Sequence, residues 1–404
     1  MAITITKQPY RYAPTQNAMI FEFETDNTNT LYFNVIVKEA NTNKILSKNN
    51  VFIAPNGEKK YIDISKTLDN LVSTPIDNST NLFKNLGGTL GYYLEVQGIS
   101  ATGQITDEKI TTPITYAFNG KLNEFDLYNN VINDYYISTG FVGKFLTDRP
   151  KASYLHYSAN EHLYFLADDQ SGIYQIKIEY QYFNNTVNTF SLPISTNGEL
   201  LHRINLSPKN LDDQIGLNLF SLKNFKVWLE DINGNKITEV RQYNIVNYKC
   251  GISVCNLNWI NQYGGLSSNA FIAPKETKQV TRTTYDTNGY LNRNYGVYTP
   301  TQTILKNDIN NQYSILSQNL TDEEYDVITN IINSRNVYTQ LVDGDLYPIN
   351  LNTTSLQVLQ KKYTKKQNRI ELSFSSNTNL KLVEFQVADA VLKDGFNYNF
   401  DIIL

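Results

Sequence analysis

The residues able to carry chemistry are few and poorly spaced for it. Three histidines, His156, His162 and His202, are the whole imidazole complement, and no two of them stand at the spacing of paired metal ligands. His162 and His202 fall inside strand-like runs, where packing is the expected role. Glycoside hydrolysis needs two carboxyl groups about 5 to 9.5 Å apart, and Glu95 with Glu230 is the pair to try. They occupy equivalent places in two halves of the chain, so only an interface between two domains would bring them together. Asp231-Ile232-Asn233-Gly234-Asn235 imitates the start of a calcium loop. Its sixth position is Lys236 and its twelfth Gln242, where that loop wants Gly and a bidentate Glu, so the segment reads as a hairpin turn. Asp286-Thr287-Asn288-Gly289 fails in the same way. A phosphate-binding Gly-rich loop and a Gly-x-Ser-x-Gly elbow are both missing. The expectation is a protein with no catalytic residue, no cofactor and no metal.

Whatever these side chains do, a β framework must hold them. Asn-Gly recurs at 56–57, 119–120, 197–198, 233–234 and 288–289, and Asp-Gly at 343–344 and 394–395, mostly between runs of alternating apolar residues. That combination is a strong hairpin signal. Strands are expected at Met19–Phe23, Leu31–Val37, Tyr92–Val96, Leu163–Leu166, Tyr174–Tyr180, Phe225–Leu229, Val240–Tyr248, Arg369–Phe374 and Lys381–Val387. One helix is well marked, over about 322–334. Thr321 is its N-cap, Glu324 completes a capping box, and Ile328, Ile331 and Ile332 share a face. Shorter helical turns fit 64–71 and 208–213.

Sliding the chain against itself reveals a duplication. Ile20-Phe21-Glu22-Phe23 matches Leu163-Tyr164-Phe165-Leu166, and Tyr32–Val37 matches Tyr174–Glu179. Asn56-Gly57-Glu58 matches Asn197-Gly198-Glu199, Ile62-Asp63-Ile64-Ser65 matches Ile204-Asn205-Leu206-Ser207, and Tyr92–Glu95 matches Val227–Glu230. The order is collinear. The predicted fold is mainly β: two tandem duplicated β-sandwich domains at 1–118 and 155–250, joined by an aromatic-rich connector at 119–154. An irregular interface segment at 251–300 and a C-terminal β-rich unit with one capped helix at 301–404 follow.

Composition narrows the function classes. At 404 residues the chain exceeds one ordinary core. Acidic and basic residues alternate to a net charge of -4, without the basic stripe that nucleic acid requires, so no specific nucleic acid is expected. No window has the roughly 18 apolar residues of a spanning helix, so no membrane insertion is expected. The first residues, Met-Ala-Ile-Thr-Ile-Thr, lack a charged segment followed by an apolar one. Cys250 and Cys255, at odd spacing, face opposite sides of a strand and form no disulfide. Both features lead to the expectation of folding in a reducing cytoplasm.

Several runs resemble tail-associated virion proteins of Bacteroidetes-infecting tailed phages, crAss-like short-tailed phages included. They are Ile5-Thr6-Lys7-Gln8-Pro9, Tyr61–Ser65, Tyr116-Ala117-Phe118-Asn119-Gly120, Phe145–Pro150, Leu257-Asn258-Trp259-Ile260-Asn261-Gln262-Tyr263-Gly264-Gly265, and the capped helix with Val337-Tyr338, Leu346–Ile349 and Arg369–Leu372. The resemblance implies a non-enzymatic building block of the tail, baseplate or neck, folded in the host cytoplasm. It would assemble as a homo-oligomeric ring beside neighbouring virion proteins. A ring needs two different patches on each subunit. With 29 Tyr and 19 Phe to place, Tyr116, Phe118, Phe145, Trp259, Tyr263 and Phe271 are the expected interface residues; Trp259 and Tyr263 also suit plugs between the second and third units. The rival reading is a carbohydrate-binding adhesin or receptor-binding tail fibre.

Overall fold

The computed structural model describes residues 3–53, 60–123, 131–138, 140–169, 171–246, 254–286, 302–318, 320–341, 345–353 and 369–376, with 125, 127 and 129 singly. The turns expected at 56–57, 288–289, 343–344 and 394–395, the strand at 381–387 and Cys250 lie outside them. The fold is β-rich. It divides into two units, residues 1–246 with 260–268, and residues 247–259 with 269–404.

The first unit opens with a sandwich built of β1 (Ile3–Lys7), β2 (Tyr12–Pro14), β3 (Ile20–Thr25), β4 (Tyr32–Glu39), β5 (Ile45–Phe52) and β6 (Lys60–Asp63). After β7 (Phe83–Leu86) it closes with β8 (Leu90–Ile99), β9 (Ile110–Thr111) and β10 (Thr115–Phe118). One sheet runs β1-β3-β6; the other runs β2-β10-β8-β4-β5, with β9 against β8. Strict alternation explains the packing. Phe21 and Phe23 on β3, Phe33, Val35 and Val37 on β4, and Tyr92, Leu94 and Val96 on β8 all point into one buried core.

The second sandwich repeats this plan with β11 (Ala152–His156), β12 (His162–Leu166), β13 (Gln175–Tyr182), β14 (Val187–Pro193), β15 (Leu201–Asn205), β16 (Leu222–Glu230) and β17 (Arg241–Val246). Its large sheet runs β11-β17-β16-β13-β14, the same order strand for strand. In both, the first and last strands of that sheet pair in parallel. The repeat extends to single bonds. Leu94 N–H donates to Thr112 Oγ1 at 2.9 Å and Leu229 N–H donates to Thr238 Oγ1 at 2.9 Å. Ile64 N–H donates to Met19 O, and Leu206 N–H to Glu161 O.

The register corrects the sequence alignment at two strands. Ile20 pairs with Asp63 and His162 with Asn205, so the counterpart of Ile20 is His162 and not Leu163. On β4 the buried residues are Phe33, Val35 and Val37, whereas on β13 they are Ile176 and Ile178. Matching Tyr32 to Tyr174 therefore puts opposite faces together. All residues of β12 are buried, so apolar character cannot fix its register, and a slip of one residue exchanges faces.

A larger difference concerns β7. This strand lies in the range read as the first sandwich, yet it completes the small sheet of the second, ordered β12-β15-β7. Its pairs run from Leu201 with Leu86 to Ile204 with Phe83. Residues 74–82 before it form a strap across the outer face of β15. Arg203, fully buried, donates to the carbonyls of Asp77, Ser79 and Asn81 and to Ser79 Oγ. Asn205 N–H donates to Leu82 O, and Tyr164 OH to Pro75 O. Strap and strand are too polar and too short to announce themselves in the sequence.

The second unit is a closed barrel. Its strands are β18 (Val254–Ile260), β19 (Leu266–Asp286), β20 (Gln302–Ser317), β21 (Val337–Gln340), β22 (Leu346–Leu351) and β23 (Glu371–Ser376), ordered β18-β19-β20-β23-β22-β21. Cys255, Leu257, Trp259, Phe271, Tyr313, Ile315, Leu372 and Phe374 fill its interior together with Ile328 and Ile331. Those isoleucines belong to the helix Asp322–Thr329 and the 3₁₀ turn Asn330–Asn333 that extends it. The capping box is formed: Glu324 N–H donates to Thr321 Oγ1, and Thr321 N–H to the Glu324 carboxylate. The segment read as irregular, 251–300, instead supplies β18 and all of β19. β19 escaped detection because its distal half alternates charged, Thr and Gln residues with no buried face, which leaves no apolar period to see.

Candidate interaction surface

The catalytic candidates are committed to structure. Glu95 accepts from Lys38 Nζ at 2.8 Å and lies 3.5 Å from Lys109 Nζ. The Lys38 hydrogen bond, ahead of the other influences, holds its carboxyl below the usual range, which suits an ion pair and not a proton donor. Glu230 accepts from Gln175 Nε2 and Trp228 Nε1, each at 2.7 Å. Each carboxylate thus has its own partners within its own sandwich. Asp231 spends its oxygens on its turn, accepting from the backbone of Asn233 and Asn235 and from Asn235 Nδ2. Burial pushes the Cys255 thiol up to about 12, far from thiolate chemistry at neutral pH.

The three histidines are buried in the second sandwich. Burial lowers His156 and His162 to about 3 and His202 to about 4. His202 contacts Asn85 Oδ1 on β7 and Ala167 O. His162 lies opposite Asn205 on β15 and meets the Tyr164 ring edge-on at 6.4 Å.

The six residues expected at an interface are placed as follows. Tyr116 is half-buried and stacks on Tyr12 at 5.6 Å. Phe118 is buried at the end of β10, and Phe145 meets Phe165 edge-on at 6.1 Å. Tyr263 stacks on Tyr135 at 4.3 Å. Trp259 and Phe271 lie in the barrel core. Five of the six are thus spent on this chain's own packing, where a second subunit could reach them only by displacing that core. Exposed aromatic residues lie elsewhere, among them Phe52, Phe141, Phe183 and Phe220.

The run Leu257–Gly265 ends in a tight turn. Its turn, residues 261–265, belongs to the first unit, where Asn261 Nδ2 donates to Leu146 O at 3.0 Å and Thr74 Oγ1 to Gly264 O at 2.7 Å. Gly264 has φ +84°, and a Cβ there would lie 1.8 Å from Asn119 O; one on Gly265 would lie 2.1 Å from Leu146 O. Only glycine fits both. Nearby, the buried Glu161 accepts from Ser268 Oγ at 2.7 Å and Tyr243 OH at 3.2 Å, and pairs with Arg149 Nε at 3.4 Å. A buried charge needs such partners, and no spacing in the sequence signalled them.

The surface available for interaction lies elsewhere. β19 and β20 pair from Phe271–Ser317 to Asp286–Gln302, but every residue of Lys275–Asp286 is exposed, as are Ile304–Ile309. These lengths form a two-stranded ribbon. At about 3.3 Å per residue the β19 side alone extends about 40 Å. One face carries Val280 opposite Ile309, Arg282 opposite Asn307 and Thr284 opposite Ile304. Leu305 is inserted at a bulge and Tyr285 stands on the other face, both exposed.

No family model and no curated protein matches the chain. Among solved structures, dimeric latent PorU from Porphyromonas gingivalis is similar at TM-score 0.19 and 8% identity, over 67% of this chain and 29% of that one. A tetra-tandem repeat from the extending region of a large adhesion protein is similar at TM-score 0.19 and 9% identity, over 96% and 91% of the two chains. At these scores neither likeness carries an argument.

Proposed function

We propose that the chain is a non-enzymatic structural component of a bacteriophage virion, in the tail, baseplate or neck, that assembles as a homo-oligomeric ring. The observation that supports an assembly role most directly is the ribbon of β19 and β20. An isolated two-stranded ribbon is marginal in water and needs a packing partner, and exposed strand edges are usually blunted or covered. A solvent-exposed ribbon on a rigid barrel is suited to reaching a neighbour. The tandem sandwiches fit the same role, since they offer broad sheets, and Glu95, Glu230 and the three histidines are engaged in packing and local pairing. The placement in a phage tail rests on the sequence resemblance. Folding in the host cytoplasm before incorporation into the virion, contact with neighbouring virion proteins, and the absence of nucleic-acid and membrane partners belong to the same proposal.

Light scattering of the purified protein over a tenfold concentration range, with negative-stain imaging of the peak, tests it. Closed rings or a discrete high-order oligomer are the expected result. A strict monomer throughout, together with specific hits on a glycan array, would replace the ring by the adhesin reading.

A further inference from the structure

The internal duplication shows what an open sheet edge in this molecule is built to receive. In the second sandwich, β15 takes β7 along its outer edge, and the strap covers the face beside it. The pairs Ile20–Asp63 and His162–Asn205 make β6 the counterpart of β15, with Tyr61 at the place of Arg203. Among the described strands β6 pairs with β3 alone. Tyr61 is 64% exposed where Arg203 is 0% exposed. Among the described residues, the same edge is thus filled in one sandwich and open in the other.

Donors are distributed in the opposite sense. The first sandwich contributes the strap and β7, an excursion closed at its neck by the Ser73 N–H to Gly88 O bond. At the same point in the second sandwich, residues 216–221 run directly from the helix Pro208–Ile215 into β16, with no strap. Among the described residues, the β6 edge is therefore unfilled and the second sandwich has no strap-and-strand excursion to fill it. The ribbon is an exposed extended element, and from Lys275 to Asp286 and from Gln302 to Asn310 its strands pair only with each other among those described. The chemistry is complementary. Tyr61 lies opposite Glu22 on β3, with Glu24 two residues along, while the ribbon's aliphatic face, Val280, Ile309 and Ile304, carries Lys278 and Arg282.

We propose that the open β6 edge of one copy takes up the β19–β20 ribbon of a second copy as added strands, a proposal that rests on the ring reading above. Strand addition of this kind uses main-chain hydrogen bonds for affinity and side chains for register. Donor and acceptor are different patches on each subunit, the heterologous contact from which a closed ring is made.

The test uses the full chain with the photo-crosslinking residue p-benzoylphenylalanine in place of Tyr61, mixed as ¹⁴N and ¹⁵N protein, irradiated and mapped by peptide mass. The expected product joins position 61 of one isotopic copy to residues 275–286 or 302–310 of the other. The doubly substituted Val280→Asp, Ile309→Asp protein, checked for unchanged far-UV circular dichroism, should lose that product at least tenfold. Crosslinks confined to one copy, crosslinks to another segment, or a yield indifferent to the ribbon substitutions would each overturn the proposal. If rings form while position 61 crosslinks elsewhere, this contact is wrong and the ring reading stands; a strict monomer removes both.

Discussion

The two sandwiches share strand order, parallel first and last strands and individual backbone bonds, yet they differ in what lies over their small sheets. In the first, the outer face of β1-β3-β6 carries Glu22, Glu24 and Tyr61, with Glu24 and Tyr61 exposed. In the second, β12 and β15 are buried at every residue, because the strap and β7 close over them. The difference shows that a duplicated topology fixes the inner faces, which must keep their apolar period, and leaves the outer faces free to diverge. Once covered, an outer face can hold groups an open one would not need to bury. Arg203 replaces Tyr61, and His162 replaces Ile20.

The strongest way to break this comparison is to remove the strap's anchor. Arg203→Met deletes the buried cation that donates to three strap carbonyls and pairs with Asp77, leaving Ser79 O only its bond from Asn205 Nδ2. Breaking a buried charged network of this kind costs about 3–5 kcal/mol, and it should appear as a lower urea midpoint with faster proteolysis between residues 73 and 88. Tyr61→Met, at the equivalent place, should move the midpoint by less than about 0.5 kcal/mol, as exposed substitutions generally do. Equal effects would mean that the strap is not what distinguishes the two sandwiches.

Acid provides the next separation. All three histidines belong to the second sandwich, and burial holds each folded-state value, about 3 for His156 and His162 and about 4 for His202, below the unfolded value near 6.5. The unfolded chain therefore takes up protons first. Their contribution to stability is complete above about pH 6.5 and falls as pH drops toward 4 and then 3, reaching a loss of about 2 kcal/mol per histidine at pH 5. His162 faces the Arg203 cation, Asp77, Tyr164 and Asn205, so its protonation would add a second buried cation beside Arg203. His162→Ile installs the first sandwich's residue and should flatten the dependence of the urea midpoint between pH 7 and pH 5 by about a third. An unchanged slope would place the acid sensitivity elsewhere.

What the sequence disclosed follows from how each feature is encoded. Inner faces with strict alternation, such as Phe33-Val35-Val37 and Tyr92-Leu94-Val96, could be read directly. So could the helix after Thr321, whose cap is a local signal. The strap and β7 could not be read, because their structure is held by Arg203, about 120 residues away, and not by their own period. The burial of Phe145, Trp259 and Phe271 could not be read for a related reason: aromatic types suit interfaces and interiors equally, and only tertiary placement separates the two. The ribbon was invisible because strands without a buried face carry no apolar signature.

A smaller pair of substitutions sharpens the comparison from the side of likeness. Thr112 and Thr238 accept from Leu94 and Leu229 at the same 2.9 Å, and both threonines are buried. Thr112→Val and Thr238→Val keep the shape and leave one buried backbone N–H unpaired in each sandwich, a cost of about 1–3 kcal/mol. Because inner-layer bonds are what the duplication preserved, the two costs should agree within about 0.5 kcal/mol when read from urea unfolding. Should Thr238→Val prove much the more costly, covering the second sandwich has stiffened its whole frame and not merely its outer face. The outer-face account of their divergence would then have to extend to the shared core.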